Sequence, residues 1–331
     1  MRQDTPWQVK RLLQPKILIP ILLSASLLAF VFSVSDAPKV GSYLLGISVP
    51  LAAAVFATTF GYMSLKWAQF DSFLHQLQIK VSWRQSMLAF VVGEMTLPIP
   101  AGIYAQNFVL QRISGADFSR SSGATTAVLV SEGAVSLIAV LILGIPGWEA
   151  LKYAILALFL VAGITAAVIM KIEVVHKRVV ELLEEGPFPD AGAGLVEIVG
   201  DAEKLLFPSG FLRAVPVTSA YLLCLVAGFY LTAHGIGEHV SFLQAAAIYL
   251  LAIAIVLVSP VSAHLGIIEA GGVGAMQQFG YSASESLAVM LGFRFLWTGS
   301  VWLIGGTVLL ALRSEFARAN KIDEKRQKSA A

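Results

Sequence analysis

Cysteine and charged residues are both scarce in this sequence. The single cysteine, Cys224, lies inside an apolar run, so the chain has no internal disulfide framework and no cysteine-based metal site. Charged residues make up 13% of the 331 positions, whereas about a quarter is usual in soluble domains. The sequence contains no Walker loop, dinucleotide-binding fingerprint or hydrolase nucleophile elbow. We therefore expect neither a water-soluble globule nor an enzyme, and no ATP-driven pump.

Long apolar runs are present instead, and hydrophobic residues account for 57% of the chain. Each run can cross a hydrocarbon core about 30 Å thick at about 1.5 Å per residue. Ser33 and Ser35 follow the first run as a signal-peptidase site would, but that run is longer than an ordinary signal core, so we expect a retained span. The six runs are Ile17–Val34, Tyr43–Leu65, Thr125–Leu143, Tyr153–Met170, Val215–Thr232 and Ala288–Leu312.

Lysine and arginine cluster at both ends of the chain, before residue 17 and in the tail 313–331. Basic residues near spans mark the cytoplasmic side, so both termini are expected in the cytoplasm and the number of full crossings must be even. Two further apolar regions, 81–113 and 240–281, are broken at their centres. A full crossing at only one of them would place the basic termini on opposite sides, which favours two re-entrant hairpins.

The six runs and two hairpins together predict an all-α polytopic membrane protein with about six full transmembrane helices and two oppositely inserted broken-helix hairpins. The breaks in the hairpins consist of proline, glycine and one histidine. In this path Lys39 and Lys152 face outward, Arg294 is intramembrane, and the other 20 of the 23 lysines and arginines are cytoplasmic. The break residues are Pro98, Pro100 and Gly102 in the first hairpin and Pro260, His264 and Gly266 in the second.

The two halves, 1–143 and 151–312, show faint self-similarity within one membrane domain. Val81–Gln85 resembles Val240–Gln244, and each segment is followed about fifteen residues later by a proline-containing break. In the path above the halves run in opposite directions, which predicts the inverted repeat common in secondary transporters. Irregular backbone is tolerated at membrane depth only inside protein or beside a wet cavity. Two breaks therefore predict a polar site at the midplane.

Five ionisable residues lie within these apolar regions: Glu94, Glu132, His264, Glu269 and Arg294. Intramembrane charge costs roughly 3 kcal/mol or more, so each needs a partner or a role. The repeat places Glu132 and Arg294 at related positions, where they could pair. These residues could bind or gate a charged head group, or they could form a structural ion network that locks the hairpins. His264 lacks the spacing of a metal site, and no metal or cofactor is expected.

Other polar groups lie nearer the membrane surface. Arg112, at the exit of the first hairpin, is a candidate phosphate contact or a snorkelling side chain, and Gln106, Asn107 and Gln111 add hydrogen-bonding groups along the same arm. The segment 171–212 alternates apolar and charged residues at helical spacing, which predicts amphipathic helices at the cytoplasmic interface.

The chain resembles the lysylphosphatidylglycerol synthase transmembrane-region family, over most of its length and most clearly in its last third. The family's first motif, a proline-rich break followed by a later glutamate, corresponds to Pro98, Pro100, Gly102 and Glu132. Its second motif, proline, glycine, glutamate and an arginine in the next helix, corresponds to Pro260, Gly266, Glu269 and Arg294. The usual Pro-Gly-Gly step is replaced by Val261–His264, and the Gly-Glu pair common after the first break is absent.

The resemblance implies a flippase-type membrane domain, in a cell membrane that is expected to be a bacterial inner membrane. It implies movement of a charged-head-group phospholipid or polyprenyl-linked lipid between leaflets, with lipids as partners and possibly a separate lipid-modifying enzyme or glycosyltransferase. Nucleic acid is not an expected partner, and the oligomeric state is open. Two alternatives remain: an ion- or proton-coupled transporter of a small soluble substrate, and a non-transporting scaffold for a lipid- or glycan-modifying enzyme.

Overall fold

The computed structural model describes residues 36–99, 102–144, 189–207, 209–258 and 266–315, with a few isolated positions between 146 and 161. These residues form α-helices and one 3₁₀ turn, Gly102–Tyr104, and the described part of the chain contains no β-strand. The helices are α1 Ala37–Leu45, α2 Val49–Gln76, α3 Trp83–Thr96, α4 Ala105–Ser114, α5 Phe118–Leu143, α6 Pro189–Leu206, α7 Gly210–Ile236, α8 Phe242–Val258, α9 Ile267–Gln278 and α10 Ala283–Ala311.

Three helices, α5, α7 and α10, are long and apolar enough to cross a membrane. They confirm the predicted spans at 125–143, 215–232 and 288–312, and each extends further than its apolar run. The predicted spans at 17–34 and, but for isolated positions, 153–170 lie outside the described residues. The full number of crossings and the side on which each terminus lies stay predictions.

The predicted span at 43–65 is wrong in its boundaries. Helix α1 ends at Leu45, and α2 leaves it at an angle of 82°. Ser48 caps the new helix by accepting a hydrogen bond from the backbone N–H of Leu51, and Pro50 occupies its first turn, where a missing N–H costs nothing. Helix α2 then continues to Gln76, so Lys66 lies well inside a helix rather than at its end.

Each of the two broken regions contains a pair of short helices packed against each other, α3 with α4 and α8 with α9. Pro98 lies in the first break, and Gly266 begins α9 with a positive φ of 89°. Pro100, Pro260 and His264 lie outside the described residues. The helix pairs support the predicted breaks, whereas re-entrant insertion from opposite sides stays a prediction.

The resemblance between Val81–Gln85 and Val240–Gln244 has a local physical basis. Ser82 and Gln85 form a capping box, in which the serine hydroxyl accepts from the Gln85 backbone and the Gln85 side chain accepts from the Ser82 backbone. Ser241 and Gln244 form the same pair of hydrogen bonds, at 2.9 and 3.3 Å. Both hairpins thus begin with the same helix-start chemistry, and the inverted repeat itself stays a prediction.

Four long helices surround the centre of the protein. Helix α2 packs against α7 and α10, α5 packs against α8 and α7, and α10 also packs against α3. Aromatic rings fill the space between them, including an edge-on pair of Tyr62 and Tyr221 with centroids 5.7 Å apart. Helix α6 packs along α5 and confirms helical structure for the second half of the predicted amphipathic segment. Residues 171–188 lie outside the described residues.

The close contact between the two sides of the first break requires a glycine at position 102. The Thr96 hydroxyl donates a hydrogen bond of 2.7 Å to the Gly102 carbonyl, which holds the two sides of the break together. A Cβ added at Gly102 would overlap the Thr96 carbonyl oxygen, which is backbone and cannot rotate away.

We therefore expect Gly102→Ala to lower the free energy of unfolding by about 1–3 kcal/mol through overpacking. Thermal unfolding in detergent, followed by tryptophan fluorescence, measures this. Gly306→Ala is the matched control, because a Cβ there meets nothing within 4 Å. Equal stability of the two variants would contradict the close packing of Gly102 against the Thr96 backbone.

Candidate functional site

A buried lysine joins two buried glutamates at the centre of the protein. Lys66 of α2 lies with its Nζ 3.2 Å from Oε1 of Glu94 on α3 and 3.0 Å from Oε2 of Glu132 on α5. The exposed fraction of the Lys66 side chain is 3%, that of Glu94 is 0% and that of Glu132 is 10%. The three residues form the Lys66 cluster, which ties three helices together.

Tyr62 completes the inner side of this cluster. It lies one turn before Lys66 on the same face of α2, as residues four apart do. Lys66 Nζ donates to the Tyr62 hydroxyl at 2.6 Å, and that hydroxyl donates to Oε2 of Glu94 at 3.0 Å. Glu94 is therefore held by both a cation and a hydroxyl, whereas Glu132 contacts the cation alone among these groups.

A second buried pair comes from the other hairpin. Arg294 Nε of α10 lies 3.6 Å from Oε1 of Glu269, and Oε2 of Glu269 accepts a hydrogen bond of 2.6 Å from the backbone N–H of Gly266. Glu269 thus caps the first turn of α9, where an acidic side chain is favoured by the helix dipole. The Arg294 guanidinium also lies over the Trp297 ring, 5.6 Å from its centroid.

Lys66 and Glu132 from the Lys66 cluster and Arg294 from the second pair border one small cavity of about 50 Å³, called here the central cavity. This volume has room for a few water molecules. Leu97, from the first break, and Ile268, from the start of α9, form part of its wall, so both hairpins reach it. Its polar lining consists of Tyr62, Lys66, Glu132, Tyr249, Arg294 and Trp297.

Several donors at this cavity are left without hydrogen-bond partners among the described residues. They are Nε and Nη2 of Arg294 and the indole Nε1 of Trp297. Trp297 is only 4% exposed. Buried donors are nearly always satisfied in proteins, so the cavity is suited to a molecule that brings acceptor oxygens.

A second, smaller cavity of about 10 Å³ lies on the far side of Lys66 and is lined by Glu94, Gln106 and Thr125. The Thr125 hydroxyl is hydrogen-bonded to the side-chain amides of Gln106 and Asn107, at 2.7 and 3.0 Å. These groups are fully buried. Buried polar side chains of α4 and α5 therefore lie next to the Lys66 cluster.

An apolar groove of about 830 Å³ meets the central cavity at Arg294. Its outer residues are open, with exposed fractions of 90% for Leu45, 75% for Phe295 and 55% for Trp302. Arg294 is the only charged side chain among the described residues that line it. We call it the α10 groove; its other lining residues are Leu44, Ile47, Pro98, Leu291, Thr298 and Gly299.

The structure brings four of the six predicted site residues together: Glu94, Glu132, Glu269 and Arg294. Glu132 and Arg294, which could pair according to the sequence, line the same cavity, but among the described residues Glu132 forms its ion pair with Lys66 and Arg294 forms its ion pair with Glu269. Arg112 lies exposed in the last turn of α4, away from the cavity lining. His264 lies outside the described residues. Within the described chain no group of three His, Cys, Asp or Glu residues is placed to hold a metal.

Lys66 is the residue that the sequence analysis missed, since it counted this lysine as cytoplasmic. The continuation of the apolar pattern past it, in Trp67, Phe70, Phe73 and Leu74, is the signal that could have identified it as buried. Phe70 and Leu74 are indeed fully buried on the same helix.

Apolar helices of membrane-spanning length around a charged interior define a multi-pass membrane protein. A family comparison agrees and goes further. The model of the lysylphosphatidylglycerol synthase TM region matches residues 17–305, which is most of the chain, so this protein belongs to that family. Searches of curated proteins and of solved structures returned no significant match.

Proposed function

We propose that this protein moves a charged-head-group phospholipid or polyprenyl-linked lipid between the two leaflets of its membrane, with the head group passing through the central cavity. The observation that carries the proposal is the position of Arg294, which lines both the central cavity and the α10 groove. A cavity with a polar lining that adjoins an apolar groove matches a molecule with a charged head and apolar tails.

The chemistry at Arg294 favours a phosphate-bearing head group. Its unpartnered guanidinium nitrogens and the Trp297 indole N–H can all donate to phosphate oxygens. Arginine suits phosphate because its planar fork of donors matches the oxygen geometry, and charge-assisted hydrogen bonds of this kind are strong. Arg294 would then contact the phosphate in place of its long contact to Glu269.

The α10 groove would hold the acyl or prenyl chains. In a bilayer an apolar groove gains little from burial, because lipid tails are as apolar as the side chains. Its contribution is steric, since it lets the chains remain in an apolar environment while the phosphate reaches Arg294.

The central cavity, at about 50 Å³, is too small for a lipid head group. Passage therefore requires its wall to open. Leu97 and Ile268 belong to that wall and lie next to the two helix breaks, so relative movement of the two hairpins is the motion expected to enlarge it.

Arg294→Ala tests the proposal directly. Purified protein in liposomes that carry a labelled anionic phospholipid is assayed for leaflet exchange by chemical quenching of the outer label. We expect the variant to insert and, at equal amounts of folded protein in the liposomes, to lose at least about tenfold in exchange rate, which corresponds to ~1.4 kcal/mol in the barrier.

The matched control is Arg213→Ala, which removes an arginine that is exposed near the start of α7. It should exchange lipid at the wild-type rate. Normal exchange by Arg294→Ala would reject the assigned role. Absence of exchange by the wild-type protein, together with substrate-dependent proton flux, would favour the soluble-substrate transporter instead.

A further inference from the structure

The Lys66 cluster carries one more negative charge than positive charge. It contains one ammonium group and two carboxyl groups, whereas the neighbouring pair of Arg294 and Glu269 is balanced. If both glutamates were ionised, the cluster would hold a net charge of minus one at the centre of a membrane protein. Uncompensated buried charge is strongly unfavourable, so a positive charge must be supplied.

No other described side chain supplies it. The groups around the cluster on the surrounding helices are the neutral side chains Tyr62, Tyr221 and Tyr249, and Arg294, whose single positive charge is balanced by the single negative charge of Glu269. Helix α6 also packs on α5, but its charged contacts join Asp201 to Lys204 and Arg120. Arg120 lies twelve positions before Glu132, which is about 18 Å along the helix.

We propose that the Lys66 cluster is a proton-binding site in which Glu94 and Glu132 share one exchangeable proton. Both carboxyl groups contact the same ammonium nitrogen, and two interacting carboxyl groups can hold a single proton between them. Within this cluster Oε1 of Glu94 and Oε2 of Glu132 both face the Lys66 ammonium, at 3.2 and 3.0 Å, so one cation is shared between two buried carboxyl groups.

Two cavities adjoin the residues that hold this proton. Glu132 and Lys66 line the central cavity, and Lys66 and Glu94 line the smaller cavity beside Gln106 and Thr125. On release, the carboxyl O–H bond breaks and the proton passes to water in the central cavity, which leaves a carboxylate beside Lys66.

The proton has a consequence for transport that rests on the proposed function. A phosphate at Arg294 would share the central cavity with Glu132. An extra carboxylate charge there would repel it, whereas a protonated cluster would not. Anionic head groups should therefore enter with a proton, so that proton binding and lipid passage are coupled.

Infrared spectroscopy of the full-length protein in lipid nanodiscs tests the proton site without any transport measurement. A protonated buried carboxyl gives a C=O stretching band that is absent from carboxylates. The wild-type protein should show this band at neutral pH. Because either glutamate alone balances Lys66, Glu94→Gln and Glu132→Gln should each remove the whole band rather than half of it.

Lys66→Gln should strengthen the protonated-carboxyl band instead of removing it. With no cation left, both carboxyls need a proton, and the band should roughly double. If this variant does not fold, the two glutamine variants still decide the question. Glu285→Gln is the control, because this carboxylate lies in the first turn of α10, where it accepts a hydrogen bond from the backbone N–H of Ser282. This variant should leave the band unchanged.

Three results would overturn the proposal. They are a wild-type spectrum without the band, a band that survives in the Glu94→Gln/Glu132→Gln double variant, and a change of the band with Na⁺ at constant pH, which would indicate a metal cation instead. A normal infrared result with no lipid exchange would reject the proposed function alone. Lipid exchange with no protonated carboxyl would reject the proton site alone.

Discussion

Replacing Lys66 by methionine is expected to destabilise the protein more than any other single substitution considered. The change leaves Glu94 and Glu132 buried beside each other without the cation that contacts both. Removal of one partner from a buried ion pair costs about 3–5 kcal/mol, because the remaining charge is uncompensated. We expect this loss in the free energy of unfolding, measured by denaturant or thermal unfolding in a mild detergent.

Lys204→Met is the matched control for this prediction. Lys204 also contacts a carboxylate, at 2.7 Å from Asp201, but its own side chain is 73% exposed, and Arg120 stays beside the buried Asp201 when Lys204 is replaced. An ion pair with a solvated ammonium is worth about 1 kcal/mol or less, and Asp201 keeps the Arg120 cation, so this variant should lose much less stability than Lys66→Met.

A rescue experiment separates lost charge from lost packing. The triple variant Lys66→Met/Glu94→Gln/Glu132→Gln has no ionisable group in the cluster, so most of the lost stability should return. Equal stability of Lys66→Met and Lys204→Met, or failure of the rescue, would show that the cluster does not hold α2, α3 and α5 together through its charges.

Filling the α10 groove should have the largest effect on transport among variants that keep every charge. Gly299 lines the groove and a Cβ at this position meets nothing within 4 Å. The side chain of Gly299→Leu would therefore point into open space and leave the packing intact, while it occupies room next to Arg294. We expect leaflet exchange to fall about tenfold or more, equivalent to ~1.4 kcal/mol in the barrier.

The control is Gly306→Leu, on the same helix two turns further on. A Cβ at Gly306 also meets nothing within 4 Å, but this glycine is not part of the groove lining. Both variants should unfold at the same temperature, and only Gly299→Leu should slow exchange in liposomes. Equal exchange rates would show that lipid does not reach Arg294 through this groove.

The helix framework was largely predictable because local rules determine it. Apolar length identified α5, α7 and α10, and proline and glycine marked both breaks. The capping pairs Ser82 with Gln85 and Ser241 with Gln244 act within four residues, so their likeness could be read from the sequence. The bend after Leu45 was missed because Gly46, Ser48 and Pro50 were counted as part of an apolar run.

The pairing of charges could not be predicted in the same way. Lys66 meets glutamates that are 28 and 66 positions further along the chain, and only the packing of α2 against α3 and α5 brings them together. Glu132 and Arg294, which the predicted inverted repeat relates to each other, do line one cavity. Which cation each glutamate contacts depends on side-chain reach in three dimensions, which sequence spacing does not contain.

The location of a bound lipid shows whether its head group enters the central cavity and its acyl chains enter the α10 groove. Wild-type protein in bilayers is photolabelled with two phospholipids, one with a diazirine in the head group and one with a diazirine in an acyl chain, and the labelled residues are identified by mass spectrometry. Leu223 on α7, which is 53% exposed and outside both cavities, reports background labelling from bulk lipid.

The account predicts head-group label on Trp297 and neighbouring cavity residues, and acyl-chain label on Phe295 and Trp302 well above that on Leu223. Arg294→Ala should abolish the head-group label. Head-group label no stronger than background would contradict the account. Crosslinks between residues of the α10 groove and residues 17–34 of the same chain, with no acyl-chain label in the groove, would contradict it as well.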